Sequence, residues 1–146
     1  MPFLLAGVLL GFFPGLCSGE GRRIYGDLDG VIYLGNYDGD TVRFDIPGVH
    51  PLLGDNISVR ICGVDTPELR ARCAQEKEQA MRAKEMVRDL LRNSGHIVLK
   101  DVGRDKYFRI VARVVADGVD VGERLLQEGL AVPYEGGRKS GWCQTE

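Results

Sequence analysis

The stretch at residues 38–46 reads Asp-Gly-Asp-Thr-Val-Arg-Phe-Asp-Ile and combines a tight turn with a strand. The Asp-Gly pair is common in hairpin turns. The residues that follow alternate in character, with Val42, Phe44 and Ile46 on one face. Because this period of about two residues is typical of a half-buried strand, the stretch predicts a β-sheet protein with aspartates at a strand end.

The remaining chain predicts four more strands and two helices. The expected strands are residues 30–36, 41–46, 57–61, 96–102 and 107–116, and the expected helices are residues 73–92 and 121–128. Residues 47–56, rich in proline and glycine, are expected to form a loop. This element order predicts a mainly β protein with helices: a five-stranded OB-fold barrel, one long helix between strands three and four, and one short C-terminal helix. Barrels of this type commonly bind nucleic acid on one face.

Two features describe the long helix. Its apolar residues recur at helical spacing and predict the buried face, which comprises Ala80, Ala83, Val87, Leu90 and Leu91. Upstream, Thr66-Pro67 is a helix-start signature, a hydroxyl cap followed by proline in the first turn.

Acidic residues gather at the predicted strand ends and turns. Asp38 and Asp40 lie at one turn, and Asp65 and Glu68 follow the strand that carries Arg60. Carboxylates that converge repel one another and favour a hard cation between them, while arginine offers a planar fork for a phosphate. A cation, an arginine and a spare carboxylate suffice to hydrolyse a phosphodiester. The alternative for the first pair alone is an acidic hairpin turn, but the second group favours a catalytic site.

Size and charge limit how such a site could bind a polyanion. The 146 residues correspond to one domain, and the formal net charge is −2. A nucleic-acid enzyme with this balance cannot use a global positive field, so we expect binding through local patches and a metal.

The first residues predict an export signal. Phe3–Phe13 is an apolar run too short to cross a bilayer, and Pro14-Gly15 and small residues follow it. No lysine or arginine precedes the run. We expect residues 1–19 to be a secretory signal segment cleaved between Cys17 and Glu20, residues 20–146 to form a single domain, and the protein to be secreted or periplasmic.

Cysteine positions are compatible with export. Cleavage as expected would remove Cys17 and leave three cysteines, of which Cys62 lies in an apolar strand pattern and is expected to be buried and unpaired. Cys73 and Cys143 lie in polar surroundings, and we predict a disulfide between them, worth about 4 kcal/mol on the loop-entropy model. A zinc site is not indicated, because the sequence contains no Cys-x-x-Cys motif.

The chain resembles the thermonuclease family, the staphylococcal-nuclease-like proteins, in four motifs. These are Asp38-Gly-Asp-Thr41, Arg60 with Asp65-Thr-Pro-Glu68, Asp105-Lys-Tyr-Phe-Arg109, and Glu128-Gly-Leu-Ala131. The resemblance covers about residues 30–134. It implies a five-stranded OB barrel and a calcium-dependent phosphodiesterase that acts on DNA and RNA. The implied cleavage breaks the bond to the 5′ oxygen and leaves 3′-phosphates.

The resemblance also implies a calcium site. Asp40 and Asp65 match direct calcium ligands, and the backbone carbonyl of Thr66 joins them. Asp38 is expected in or just outside the ring of direct ligands. Glu68 matches the residue that orients or deprotonates the attacking water.

On the substrate side, Arg60 and Arg109 match two arginines that contact the scissile phosphate. Lys106 and Tyr107 match residues that contact the terminal phosphate and the sugar or base, and Tyr134 matches a second tyrosine there. The alternatives are an ordinary turn residue for Lys106 and core aromatics for the two tyrosines.

One departure from the family lies beside the second arginine, where Phe108 replaces a common glycine. The main functional prediction is a calcium-dependent endonuclease that acts as a monomer without a stable protein partner. The alternative is a catalytically silent OB-fold module that binds nucleic acid or a protein. That alternative is disfavoured because such modules usually lose the acidic residues that this chain keeps.

Overall fold

The structure is a computed structural model that describes Cys17, residues 22–139 and residues 141–143. Apart from Cys17, the predicted signal segment at residues 1–19 lies outside the described residues. The strands are β1 Leu28–Asp29, β2 Ile32–Asn36, β3 Thr41–Asp45, β4 Ile57–Ile61, β5 Val64–Asp65, β6 Ile97–Arg104, β7 Ile110–Ala116, β8 Val119–Asp120 and β9 Val132–Pro133. The helices are α1 Pro51–Gly54, α2 Ala74–Arg92 and α3 Val121–Gln127. None of the described helices is long and apolar enough to span a membrane.

The main sheet runs in the order β1-β6-β7-β4-β3-β2. Its ladders are antiparallel except for β4 and β7, which pair in parallel. The chain passes from β1, which pairs with β6, into β2, which pairs with β3. Between these strands, the Val31 N–H donates to the Ile97 carbonyl at 3.2 Å. The two edges of the sheet are thereby joined, which confirms the predicted OB-type barrel.

The barrel interior and helix α2 form one apolar core. Val42, Phe44 and Ile46 are buried on the inner face of β3 and just beyond it, as their alternation predicts. The buried residues of α2 are Ala80, Ala83, Val87 and Leu91, and Leu90 is partly buried against the same core. Burial of a valine- or leucine-sized side chain contributes about 1.5–3 kcal/mol, so this core fixes α2 across the barrel.

Helix α2 begins later than the Thr66-Pro67 signature predicts. Its first residue is Ala74, with Cys73 at the N-cap position. The Thr66 N–H donates to Oδ2 of Asp40 at 3.1 Å, so a carboxylate from the β3 turn holds Thr66 outside the helix. The prediction of a cap at Thr66 is wrong: Thr66 directly follows β5, and the chain becomes helical only at Ala74.

Two other boundaries also differ. The fifth long strand starts at Ile110 instead of Tyr107, because the Phe108 N–H donates to the Asp105 carbonyl at 3.0 Å and closes a turn. The predicted loop at residues 47–56 contains the short helix α1.

Two disulfides are present. Cys73 and Cys143, the pair predicted from the sequence, have Cα atoms 6.0 Å apart. Cys17 and Cys62 form the second bridge, with Cα atoms 5.3 Å apart. The expectation that Cys62 is buried and unpaired is therefore wrong. It is half-buried directly after β4, where Cys17 and Arg22 contact its sulfur.

Candidate active site

The turn between β2 and β3 is built by its own polar groups. Oδ1 of Asp38 accepts the N–H groups of Asp40 and Thr41 at 3.1 and 2.8 Å. The Asn36 amide donates to the Asp38 carbonyl and to the Lys84 carbonyl of α2, at 2.8 and 3.0 Å. Asp38 therefore shapes the turn with the carboxylate that the sequence assigned to the metal. Burial, and next the Asp40 carboxylate, raise the pKa of Asp38 to about 6.

Gly39 lets this turn approach α2. A Cβ atom at Gly39 would lie 2.8 Å from both Ala83 Cβ and Thr66 Cγ2. Separations that short do not occur between real side chains, so a larger residue would push the turn away from the helix. The glycine thus sets the depth at which Asp40 enters the site.

Asp40 and Asp65 are both buried, with 3 % and 1 % of their surface exposed. Asp40 is fixed through Oδ2 by the Thr66 N–H, and its Oδ1 accepts from the Thr41 hydroxyl at 3.2 Å. Asp65 is held in place by strand β5, which pairs with β9. Burial of two neighbouring carboxylates is costly unless positive charge accompanies them.

Arg60 supplies part of that charge. Its Nη1 lies 2.7 Å from Asp40 Oδ1, and its Nη2 lies 3.4 Å from Asp65 Oδ1. Burial by itself would lower the pKa of Arg60, but the two aspartates outweigh it and raise the pKa above its usual value. The guanidinium also lies over the Tyr134 ring, 5.7 Å from its centroid. Arg60 therefore joins the buried acids to the cavity beside them.

The carboxylate cluster, defined as Asp40, Asp65 and Glu68, offers a hard divalent cation oxygen donors only. Oδ2 of Asp65 is buried and has no hydrogen-bond partner. An orphaned carboxylate oxygen in a protein interior is rare, and its lone pairs are open to a cation. Because the donors are all oxygens, calcium or magnesium suits the cluster better than zinc. Asp40, Asp65 and the Thr66 carbonyl are the groups that would hold such an ion.

A cavity of about 470 Å³ opens beside this cluster. The residues expected to bind substrate all line it: Arg60, Lys106, Tyr107, Arg109 and Tyr134. The Cys17–Cys62 bridge and Arg22 form another part of its wall. Cationic side chains and two tyrosines around one cavity suit a phosphodiester with its attached bases.

Residues 105–109, here called the 105–109 turn, hold the second arginine. Oδ1 of Asp105 accepts the N–H groups of Tyr107 and Arg109 at 2.8 and 3.0 Å, and Oδ2 lies 2.7 Å from Arg109 Nε. Burial opposes ionisation of Asp105, but these hydrogen bonds prevail and lower its pKa. Arg109 also lies 5.4 Å, and Lys106 5.1 Å, from the centroid of the Tyr107 ring. The guanidinium of Arg109 is thus paired inside its own turn, unlike that of Arg60.

Phe108 lies in the left-handed region, with φ 64°, and its side chain is 79 % exposed. This conformation explains why glycine suits the position, since a bulky residue there is strained. Arg104 Nη1 donates to the Phe108 carbonyl at 2.6 Å and helps to hold the turn.

One residue at the site was missed by the sequence analysis. Lys139 Nζ lies 2.9 Å from Asp65 Oδ1 and 2.6 Å from Glu68 Oε1. Burial would lower the pKa of Lys139, but Glu68 and Asp65 outweigh it and raise the pKa. The predicted Cys73–Cys143 bridge was a usable signal, because it brings the C-terminal residues near Lys139 back to the start of α2.

Residues 58–144, more than half of the chain, match the family described as staphylococcal nuclease homologue. The chain belongs to the staphylococcal nuclease family. This confirms the resemblance inferred from the four motifs, and the barrel described above is the expected scaffold.

Two relatives from Bacillus subtilis (strain 168) are named endonucleases. The chain is 41 % identical to endonuclease YncB over 101 residues, which are 64 % of this chain and 43 % of the relative. It is 40 % identical to the SPbeta prophage-derived endonuclease YokF over 102 residues, 64 % of this chain and 30 % of the relative. The chain therefore spans less than half the length of these two relatives.

Proposed function

We propose that the protein is a calcium-dependent nuclease that hydrolyses phosphodiester bonds of DNA or RNA and leaves 3′-phosphates. The observation that carries this proposal is the buried Asp40–Asp65 pair, with one orphaned oxygen, bridged by an arginine that also faces the substrate-sized cavity. Family membership and the endonuclease names of the two relatives support a nuclease; the choice of calcium rests on the oxygen-only donor set.

Each residue then has a chemical task. Asp40, Asp65 and the Thr66 carbonyl would hold the cation, which would supply positive charge to a phosphate oxygen when bound. Glu68, whose side chain is 53 % exposed, accepts a proton from the attacking water, because water alone is a weak nucleophile at neutral pH. The bond from phosphorus to the 5′ oxygen breaks, so the phosphate stays on the 3′ side.

The arginines stabilise the additional charge of the pentacoordinate phosphorus. One well-placed donor of this kind contributes about 3 kcal/mol to the transition state. Arg60 is already between the acids and the cavity, whereas Arg109 must exchange Asp105 for phosphate. Lys106 binds a neighbouring phosphate. Tyr107 and Tyr134 offer ring faces to sugars or bases, and any base can stack on such a ring.

The test is cleavage of single-stranded DNA and RNA with added calcium and then with chelator. We expect cleavage only with calcium, and products that a 3′-phosphatase converts to 3′-hydroxyl ends. Full activity in chelator would overturn the metal assignment. Binding without any cleavage would favour the silent OB-fold module.

We also propose that the protein is exported, as a secreted or periplasmic monomer. Two disulfides suit an oxidising compartment, and the proposed site uses residues of one chain. Cleavage between Cys17 and Glu20 would detach Cys17 from the chain that carries Cys62, so we place the cleavage before Cys17. N-terminal sequencing of periplasmic protein tests this: a mature chain that lacks Cys17 would contradict it.

A further inference from the structure

The segment after β9 returns to the carboxylate cluster. The Tyr134 hydroxyl donates to the Gly137 carbonyl at 3.0 Å, and two residues later Lys139 reaches Asp65 and Glu68. The Cys73–Cys143 disulfide then anchors the segment to the N-terminus of α2. We call residues 134–143 the tail. It continues from β9 at one end and is held by the Cys73–Cys143 disulfide at the other.

The Lys139 ammonium already supplies positive charge to Asp65, a proposed ligand of the ion, and to Glu68, the proposed proton acceptor. It neutralises Asp65, which is 1 % exposed, and Glu68, which is half-exposed. A buried carboxylate needs such a charge whenever no metal is bound. The ammonium lies on Asp65 Oδ1, and the orphaned Oδ2 of the same carboxylate is the atom proposed for the ion, so the ammonium and a divalent ion would repel each other across one carboxylate.

The tail is built so that this ammonium can leave without going far. The Lys139 side chain is 45 % exposed, so the ammonium has a path to solvent. Just before it in the chain, Gly136 and Gly137 have φ values of 104° and 92°, which only glycine adopts readily. The disulfide keeps the displaced lysine near the cluster, at the high effective concentration of a short tether. Lys139 can therefore compete with a metal without any other molecule.

From these contacts we infer that Lys139 is an internal competitor for the metal site, which lowers metal affinity and must be displaced before the nuclease is active. The inference rests on the proposed metal site. When a competitor blocks the site, the apparent metal affinity is the intrinsic affinity multiplied by the fraction of molecules in which the site is open. If about one molecule in ten is open, removal of the ammonium tightens metal binding about tenfold.

The experiment is calorimetric titration of calcium chloride into the purified chain at about pH 7, without substrate. Lys139→Met removes the ammonium at nearly constant size, and we expect about tenfold tighter binding. The matched control is Arg138→Met, which removes a neighbouring charge from the exposed tail and should change affinity less than about twofold. Equal tightening in both variants would show a general charge effect and overturn the inference.

A second variant releases the tail but keeps the lysine. Replacement of Cys73 and Cys143 by serine should also tighten calcium binding, because the ammonium is no longer tethered beside the cluster. In the unmodified protein, acetylation of Lys139 by acetic anhydride should rise several-fold on calcium addition, while exposed Lys77 stays unchanged. No rise at Lys139 would contradict displacement.

The outcomes separate this inference from the proposed function. If the wild type binds calcium, Asp65→Asn does not, and Lys139→Met equals the wild type, only the competition is wrong. If neither the wild type nor Lys139→Met binds calcium, the metal site itself is wrong and both proposals fall.

Discussion

The two arginines proposed to contact the phosphate lie in opposite settings. Arg60 is 11 % exposed and bridges the buried Asp40 and Asp65, so its position is determined by the core. Arg109 is 53 % exposed and pairs with Asp105 four residues earlier in the same turn. Arg60 is therefore fixed by long-range contacts within the fold, whereas Arg109 is fixed by a contact within one surface turn.

This difference separates a preorganised part of the site from a part that must rearrange to bind substrate. The carboxylate side is preorganised, since strand pairing, a glycine contact and a buried ion pair hold it. The 105–109 turn needs only a local exchange of Arg109 from Asp105 to substrate. We therefore expect Arg60 and Arg109 to contribute similarly to turnover, but Arg60 to contribute more to the free energy of unfolding.

The largest expected effect concerns the exposed member of the carboxylate cluster. Glu68→Gln should reduce turnover about 10²–10⁴-fold, because the proposed proton acceptor is lost. Thermal unfolding should change little, since the side chain is half-exposed. The control is Glu78→Gln, an exposed residue of α2, measured in the same single-stranded DNA assay. Turnover within about threefold of the wild type would remove Glu68 from the mechanism.

Arg60→Ala should reduce both turnover and stability. Loss of a phosphate donor costs about 10²–10³-fold in turnover, and the free energy of unfolding should fall by about 3 kcal/mol because two buried carboxylates lose their partner. Urea denaturation measures the second effect. Added calcium should restore part of this stability, since it would neutralise the same acids. A variant as stable as the wild type would break the contrast between the arginines.

Arg109→Ala should reduce turnover without a comparable loss of stability. We expect a similar loss of turnover, about 10²–10³-fold, but a stability change below about 1 kcal/mol, as is usual for an exposed ion pair. The same assay and denaturation apply. Near-normal turnover would mean that Arg109 stays with Asp105 and does not reach the phosphate.

The smallest effect concerns the strained residue of the 105–109 turn. Phe108→Gly should raise the free energy of unfolding by about 0.5–1 kcal/mol, because relief of the left-handed strain exceeds the entropy cost of glycine. Phe108→Ala is the control and should bring no such gain, since it keeps a Cβ atom. If the glycine variant is less stable than the wild type, the exposed ring packs against something that outweighs the strain.

Much of the fold could be predicted from local patterns. The alternation at Val42, Phe44 and Ile46 and the helical spacing of Ala80, Ala83, Val87 and Leu91 were read correctly because burial imposes those periods. The start of α2 agrees with the expected helix at residues 73–92, whereas the cap signature at Thr66-Pro67 was wrong, because the Asp40 carboxylate holds Thr66 beside β5. A hydrogen bond across such a sequence separation leaves no local signature.

The sequence by itself determined the family, the barrel, the acidic residues and the Cys73–Cys143 pair, because each depends on residue type, order or spacing. Only the tertiary structure decided that Asp40 holds Thr66, that Cys62 pairs with Cys17, and that Lys139 reaches the carboxylate cluster. These contacts join residues by three-dimensional proximity and by competition among hydrogen-bond partners. Neither is encoded in any short stretch of chain, so the folded barrel was needed to reveal them.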